Sequence, residues 1–254
     1  MFETLTTAVE GSVGHLTLNR PQKLNPLSRL ALTELAEAAR WFDTQHAVKA
    51  VIVRGAGRAF SAGADLRTFA DQSETDIRGA ADQGRLMAEA LEQMRAISIV
   101  ALQGWCVGGG LVLAAACDLR VAAENAQFSI PEVDLGIPLA WGGIPRLVRE
   151  IGPALTKELV LTCRPFDAGE GLASGFLNRV VPPDELEKTV TTLAATVADK
   201  PAHAIFSTKR HVNAVTSQMV GAARSWSDAD GMVVGLTDAE CAQARERYLL
   251  SLSV

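Results

Sequence analysis

Three consecutive glycines, Gly108–Gly110, stand between two apolar runs and constrain this chain more than any other feature. The run before them, Ile97 to Leu102, reads as a buried strand ending at Gln103-Gly104. The run after them, 111–117, reads as an apolar helix that stops at Asp118. Glycine at such a junction permits tight helix–strand packing, and it equally permits a ligand to approach the backbone. A helix N-terminus adds unpaired N–H groups and a partial positive charge. A second small-residue segment, Arg58-Ala-Phe-Ser-Ala-Gly-Ala-Asp-Leu66, also follows a strand, Ala50 to Arg54. Two such turns, each presenting one N–H into a shared cleft, would make an oxyanion hole. Neither turn is a dinucleotide fingerprint or a phosphate-binding loop, and no G-x-S-x-G nucleophile turn occurs.

Around these turns the pattern alternates strands with helices. Residues 5–20 read as two strands joined by a turn at 10–14, and Asn19-Arg20-Pro21 breaks the second. Ser28 caps an expected helix to about Thr44, with Leu32, Leu35, Ala36, Ala39 and Phe42 on one face. A helix is expected near 78–95, and short strands at 119–122, 127–130 and 178–181. Helices dominate from Ile144, and Pro182-Pro183 interrupts the chain before a last helical region. The order strand, strand, helix recurs only loosely, without a sequence repeat. Strands early and helices late imply an α/β core with a helical C-terminal appendage.

Composition narrows the partners. With 254 residues, 48% of them apolar, the chain can bury a full core. The net charge of −5 and the absence of a basic stripe exclude nucleic acid as an expected partner. No apolar run reaches the roughly 18–20 residues of a membrane span. The first 20 residues lack the basic and apolar regions of a signal peptide, so a cytoplasmic protein is expected. Cys106, Cys117, Cys163 and Cys241 are widely spaced, as are His15, His46, His203 and His211, so no metal site is expected.

Taken together, the motifs resemble the enoyl-CoA hydratase/isomerase (crotonase) family. Asn19-Arg-Pro-Gln-Lys-Leu-Asn-Pro-Leu27 is similar to its N-R-P-x-x-x-N-x-L signature, and Ala59 to Leu66 to its A-F-x-A-G-A-D-[LI] loop. Gly104 to Gly110 resembles the G-x-x-x-G-G-G turn, Ala116 to Ala122 the C-D-x-R-x-A strand, and Phe128 to Gly136 the F-x-x-P-E-x-x-L-G segment. The motifs keep the family's order over about residues 10–190; one departure is Ile97, where many members have proline. The resemblance implies a spiral of ββα units over 1–194 and a helical C-terminal region, 195–254, that trimerises or forms a dimer of trimers. It implies an acyl-CoA thioester as substrate, with coenzyme A as part of that substrate and no separate cofactor. By position, Ala62 and Gly109 would donate the two oxyanion-hole N–H groups, and Lys23, Leu24, Gly63, Ala64, Asp65 and Leu66 would line the coenzyme A channel. Asp65 serves equally well as a cap for the next helix.

The acid/base positions then distinguish reactions. Similar hydratases carry one glutamate three residues after the second donor glycine and another in the P-E motif, so that two carboxylates orient a water. Here the P-E glutamate is Glu132, but the other position is Val112. Eight residues past the P-E glutamate, where similar dienoyl-CoA isomerases and aryl-CoA dehalogenases carry aspartate, stands Ala140, followed by Trp141. On its own, a glutamate after a proline at a strand end also suits a solvent-facing or ion-paired residue. As a base, one glutamate suffices to move a proton from C2 to C4 of a Δ3-enoyl thioester. Monofunctional Δ3,Δ2-enoyl-CoA isomerases resemble this arrangement. The expected activity is therefore that isomerisation, with hydration by Glu132 or a non-enzymatic acyl-CoA-binding role as alternatives. Val112, Leu135, Ile137 and Trp141 are expected to make the surroundings apolar and raise the Glu132 pKa.

Overall fold

The computed structural model describes residues 2–66, 73–221 and 228–251. Strand β1 (Leu5–Glu10) turns back antiparallel onto β2 (Val13–Leu18), with Leu5 opposite Leu18. Helix α1 (Arg29–Thr44) begins at Ser28, whose Oγ accepts from the Ala31 N–H at 3.3 Å, and it buries the expected face at Leu32, Leu35, Ala36, Ala39 and Phe42. Strand β3 (Ala50–Gly55) lies parallel to β2, and β4 (Ile97–Leu102) lies parallel to β3. Helix α2 (Glu74–Gln93) joins them. It starts earlier than its apolar pattern suggests because Ser73 and Asp76 form a reciprocal capping box.

From β4 the chain passes into a second sheet through β5 (Trp105–Val107) and then into α3 (Gly109–Ala115). The same excursion repeats with β6 (Leu119–Ala123), β7 (Gln127–Ser129) and α4 (Gly143–Thr162). Gly152, at φ 75°, and Pro153 break α4 into two helical pieces. Strand β8 (Phe166–Asp167), α5 (Ala168–Ala173) and β9 (Arg179–Val181) complete the two sheets. Their strand orders are β1-β2-β3-β4-β6-β9 and β5-β7-β8. Strands β5 and β8 are too short to leave a sequence period, which is why only their neighbours are legible beforehand.

The central parallel strands are covered on both faces, so β3 and β4 read as continuous apolar runs rather than alternating ones. Val51, Val53, Val100 and Leu102 join the α1–α3 side. Ala50, Ile52, Ile99, Ala101 and Val121 pack against α6 (Leu186–Ala198) through Leu186, Val190 and Ala194. Each such fully buried large aliphatic contributes about 1.5–3 kcal/mol. The expected division at 194/195 falls inside α6, so by packing the core continues to the end of that helix.

Beyond it, α7 (Ala202–Met219) is pinned by buried Lys209, whose Nζ donates to Asp118 Oδ2 at 2.7 Å and to the Ala96 carbonyl at 3.0 Å. Helices α8 (Asp228–Thr237) and α9 (Ala239–Ser251) fold back over the chain's own core. Asp228 Oδ2 accepts from the Gly142 N–H at 2.7 Å, and Arg245 Nη1 donates to the Leu135 carbonyl at 3.3 Å. No described helix is long and apolar enough to cross a membrane.

Candidate active site

The site is assembled by a parallel contact between two loops. Ser61 bridges Cys106, with Ser61 N–H to the Trp105 carbonyl at 3.2 Å and Val107 N–H to the Ser61 carbonyl at 3.0 Å. Three residues further along each strand stand Ala64 and Gly109. Each follows a glycine of positive φ, Gly63 at 85° and Gly108 at 48°, a region that L side chains rarely adopt. A Cβ on Gly63 would lie 3.6 Å from the Gly109 nitrogen, so the two turns touch.

Asn25 holds the first turn in place. Its Nδ2 lies 2.9, 3.0 and 3.1 Å from the carbonyl oxygens of Ala56, Ala59 and Phe60, and its Oδ1 accepts from the Arg20 N–H at 2.9 Å. Ser61 Oγ donates to the Asn25 carbonyl at 2.8 Å and accepts from the Gly63 N–H at 3.1 Å. Both side chains are buried.

One expectation is corrected here. The Ala62 N–H donates to the Leu24 carbonyl at 2.8 Å and is not available to a ligand. The parallel bridge between Leu27 and Ala64 uses the Gly63 carbonyl and the Asp65 N–H, at 2.8 and 3.2 Å. That pairing turns the Ala64 N–H to the opposite side, where it has no hydrogen-bond partner among the described residues. Gly109 is the first residue of α3, so its N–H is likewise outside the helical ladder. The two N–H groups left without a backbone partner among the described residues are thus those of Ala64 and Gly109.

Glu132 closes the third side. It is buried, and its Oε2 has no hydrogen-bond partner among the described residues. Burial in an apolar wall pushes its carboxyl up to about 7. A neutral-pH proton acceptor results, aimed into a cleft rather than paired in the scaffold. Val112, one turn past Gly109, is fully buried and lines the same cavity as Glu132, Ala64 and Gly109.

Two cavities meet at this point. A wide one of about 610 Å³ is lined by Lys23, Leu24, Ala62, Gly63, Ala64, Asp65, Leu66, Trp105 and Glu132. All the channel residues expected from sequence line it. Tyr248 of α9 lines it too, the chain's single tyrosine, which no motif marks. The second, of about 50 Å³, is lined mostly by apolar residues, among them Leu27, Leu32, Ala81, Val112, Leu139 and Trp141, with Arg29 beside them. Ala64 and Glu132 line both cavities.

A model of the "Enoyl-CoA hydratase/isomerase" family matches residues 8–248. The chain belongs to that family. Family membership makes it an enzyme of the enoyl-CoA hydratase group. It is 39% identical over 215 residues to a Mycobacterium tuberculosis protein named "Probable enoyl-CoA hydratase echA8", spanning 84% of this chain and 82% of that one. It is 34% identical over 213 residues to the crotonyl-CoA hydratase of Syntrophomonas wolfei, spanning 84% and 82%. Among solved structures, an enoyl-CoA hydratase from Mycobacterium avium subsp. paratuberculosis superposes with a TM-score of 0.87 at 28% identity, covering 96% of this chain and 98% of that one. The crotonase-like α/β fold expected from the motifs is the fold observed.

Proposed function

We propose that this enzyme binds an acyl-CoA thioester across the two cavities and shifts a Δ3 double bond to Δ2. The observation that carries the reading is a buried carboxylate, Glu132, whose Oε2 has no hydrogen-bond partner among the described residues and which shares the small cavity with Val112. The thioester oxygen sits against the N–H groups of Ala64 and Gly109. Their hydrogen bonds stabilise the enolate that forms when Glu132 removes a proton from C2. The electron pair then delocalises from C2 through the Δ3 double bond, and Glu132 returns the proton to C4. The double bond ends conjugated with the thioester, with one proton removed and one returned. Low polarity around Glu132 favours transfer between carbon atoms and disfavours an ordered water. Lys23, Leu24 and Leu66 line the wide cavity, where the coenzyme A part of the substrate would lie.

Hydration is the second reading, favoured by the relatives' names, which are those of hydratases. The two part on one experiment. Purified enzyme is offered Δ3-enoyl-CoA and Δ2-enoyl-CoA separately, and products are resolved by chromatography. Isomerisation without hydration supports the proposal; efficient hydration rejects it; tight acyl-CoA binding with turnover of neither favours a binding protein.

A further inference from the structure

The small apolar cavity beyond the thioester site is shaped by one residue, Trp141. Its backbone is left-handed, at φ 61°, where a bulky residue is rarely found. Arg146 holds that turn: fully buried, it donates from Nη1 to the Gly142 carbonyl at 3.0 Å and the Trp141 carbonyl at 3.3 Å, while its Nη2 pairs with Glu92 at 2.6 Å. On the other side, Asp228 accepts the Gly142 N–H. The backbone is therefore clamped from α4 and α8 at once.

The indole lies between two glycines on different helices. A Cβ on Gly84 of α2 would collide with the five-membered ring at Cγ and Cδ1. A Cβ on Gly109 would collide with the six-membered ring at Cζ3 and come within 2.8 Å of Cη2. The ring thus spans from α2 to the first residue of α3, beside an N–H assigned to the thioester oxygen. An acyl chain leaving that oxygen meets the indole within the first few carbons. The room left is about 50 Å³, against about 150 Å³ for an apolar cavity that takes one benzene. The other walls include Leu27, Leu32, Ala81, Leu139 and Met232, and the lining cation, Arg29, is already engaged by Asp76 at 3.5 Å and Gln83 at 3.3 Å.

We infer that Trp141 ends the acyl pocket and restricts this enzyme to short, unbranched apolar acyl chains. This rests on the reading of the cleft as an acyl-CoA site. Trp141 acts as a specificity-determining residue, since the pocket behind it is space that the Gly84 and Gly109 notches give to the indole rather than to substrate.

The test is direct binding of saturated acyl-CoAs, which needs no turnover, by calorimetry with butyryl-CoA and dodecanoyl-CoA. Wild type should favour butyryl-CoA at least tenfold, since a few methylenes without room are worth roughly 10-fold or more. Trp141→Ala should narrow or reverse that preference by a similar factor. Ala81→Leu, which fills the pocket from α2 and leaves the clamped turn intact, should weaken butyryl-CoA and spare acetyl-CoA. Equal wild-type affinity for both lengths overturns the inference and leaves the proposed function standing. An unchanged preference in folded Trp141→Ala, or an unchanged butyryl-CoA affinity in Ala81→Leu, also overturns it. No binding of any acyl-CoA overturns the proposed function and the inference with it.

Discussion

The carboxylate of Glu132 rests against the Cα of Gly108, the residue that turns the chain into α3. A Cβ at Gly108 would collide with Oε1 of Glu132, and its φ of 48° and ψ of −113° belong to glycine alone. The proposed base and the turn that would carry an oxyanion-hole donor are therefore packed directly against each other.

Gly108→Ala should accordingly damage both stability and activity. Backbone strain of this kind costs about 1–3 kcal/mol, and the displaced carboxylate should lower kcat further. Thermal unfolding and steady-state kinetics on the same preparation check this; a variant with wild-type kcat would show that Glu132 is positioned independently.

Glu132→Gln should abolish turnover, keep acyl-CoA binding and stabilise the fold at high pH. The folded carboxyl titrates near 7, against 4.5 ordinarily. The folded state thus holds a proton that the unfolded chain releases in that window, and wild-type stability falls as pH rises from 4.5 to 7. The glutamine variant lacks that loss, so it should gain up to about 3 kcal/mol at pH 8 and nothing at pH 4. Denaturant titrations at the two pH values measure it. In the same frame, wild-type kcat/KM should rise with pH and level off above about 7.

The donor assignment predicts that a thioester oxygen lies about 2.7–3.1 Å from the nitrogens of Ala64 and Gly109. Gly109→Ala already presses on Trp141, so the N–H is isolated by comparing it with Gly109→Pro, whose ring suits the first helical position. The proline variant should lose a further 2.7–4 kcal/mol or about that in kcat/KM. A ligand-bound structure with the oxygen on Ala62 would reverse the correction.

Helix α7 carries Val212, Val215 and Met219, exposed at 56, 47 and 73%. If other copies of the chain cover this apolar face, as the resemblance implies, sedimentation should give a trimer or hexamer at micromolar concentration. Val212→Asp with Met219→Asp should shift it toward monomer. Met232 of α8, in the same C-terminal region, is buried within its own chain in a cluster with Ile137.

Much of this was legible in local pattern. Ser28, the β3 and β4 runs, Gly109 and Glu132 are read from residues adjacent in sequence. What escaped depends on distant pairing. Ala62 and Ala64 are alike in sequence, and only the bridge from Ala64 to Leu27 decides which N–H faces the cleft. Trp141 gains its place from Gly84, 57 positions earlier, and Tyr248 from the return of α9. The division at 194/195 falls inside α6, whose apolar face only the far side of the sheet explains.

The central claim is that one carboxylate moves a proton between carbons. Its most direct test is deuterium incorporation during turnover of Δ3-enoyl-CoA in D₂O, followed by mass spectrometry with Δ2-enoyl-CoA as a parallel substrate. The account predicts conversion of Δ3 to Δ2 with label confined to C2 and C4, lost in Glu132→Gln, and little 3-hydroxyacyl product from either substrate. Rapid formation of 3-hydroxyacyl-CoA from the Δ2 substrate, with no Δ3 turnover, would contradict it.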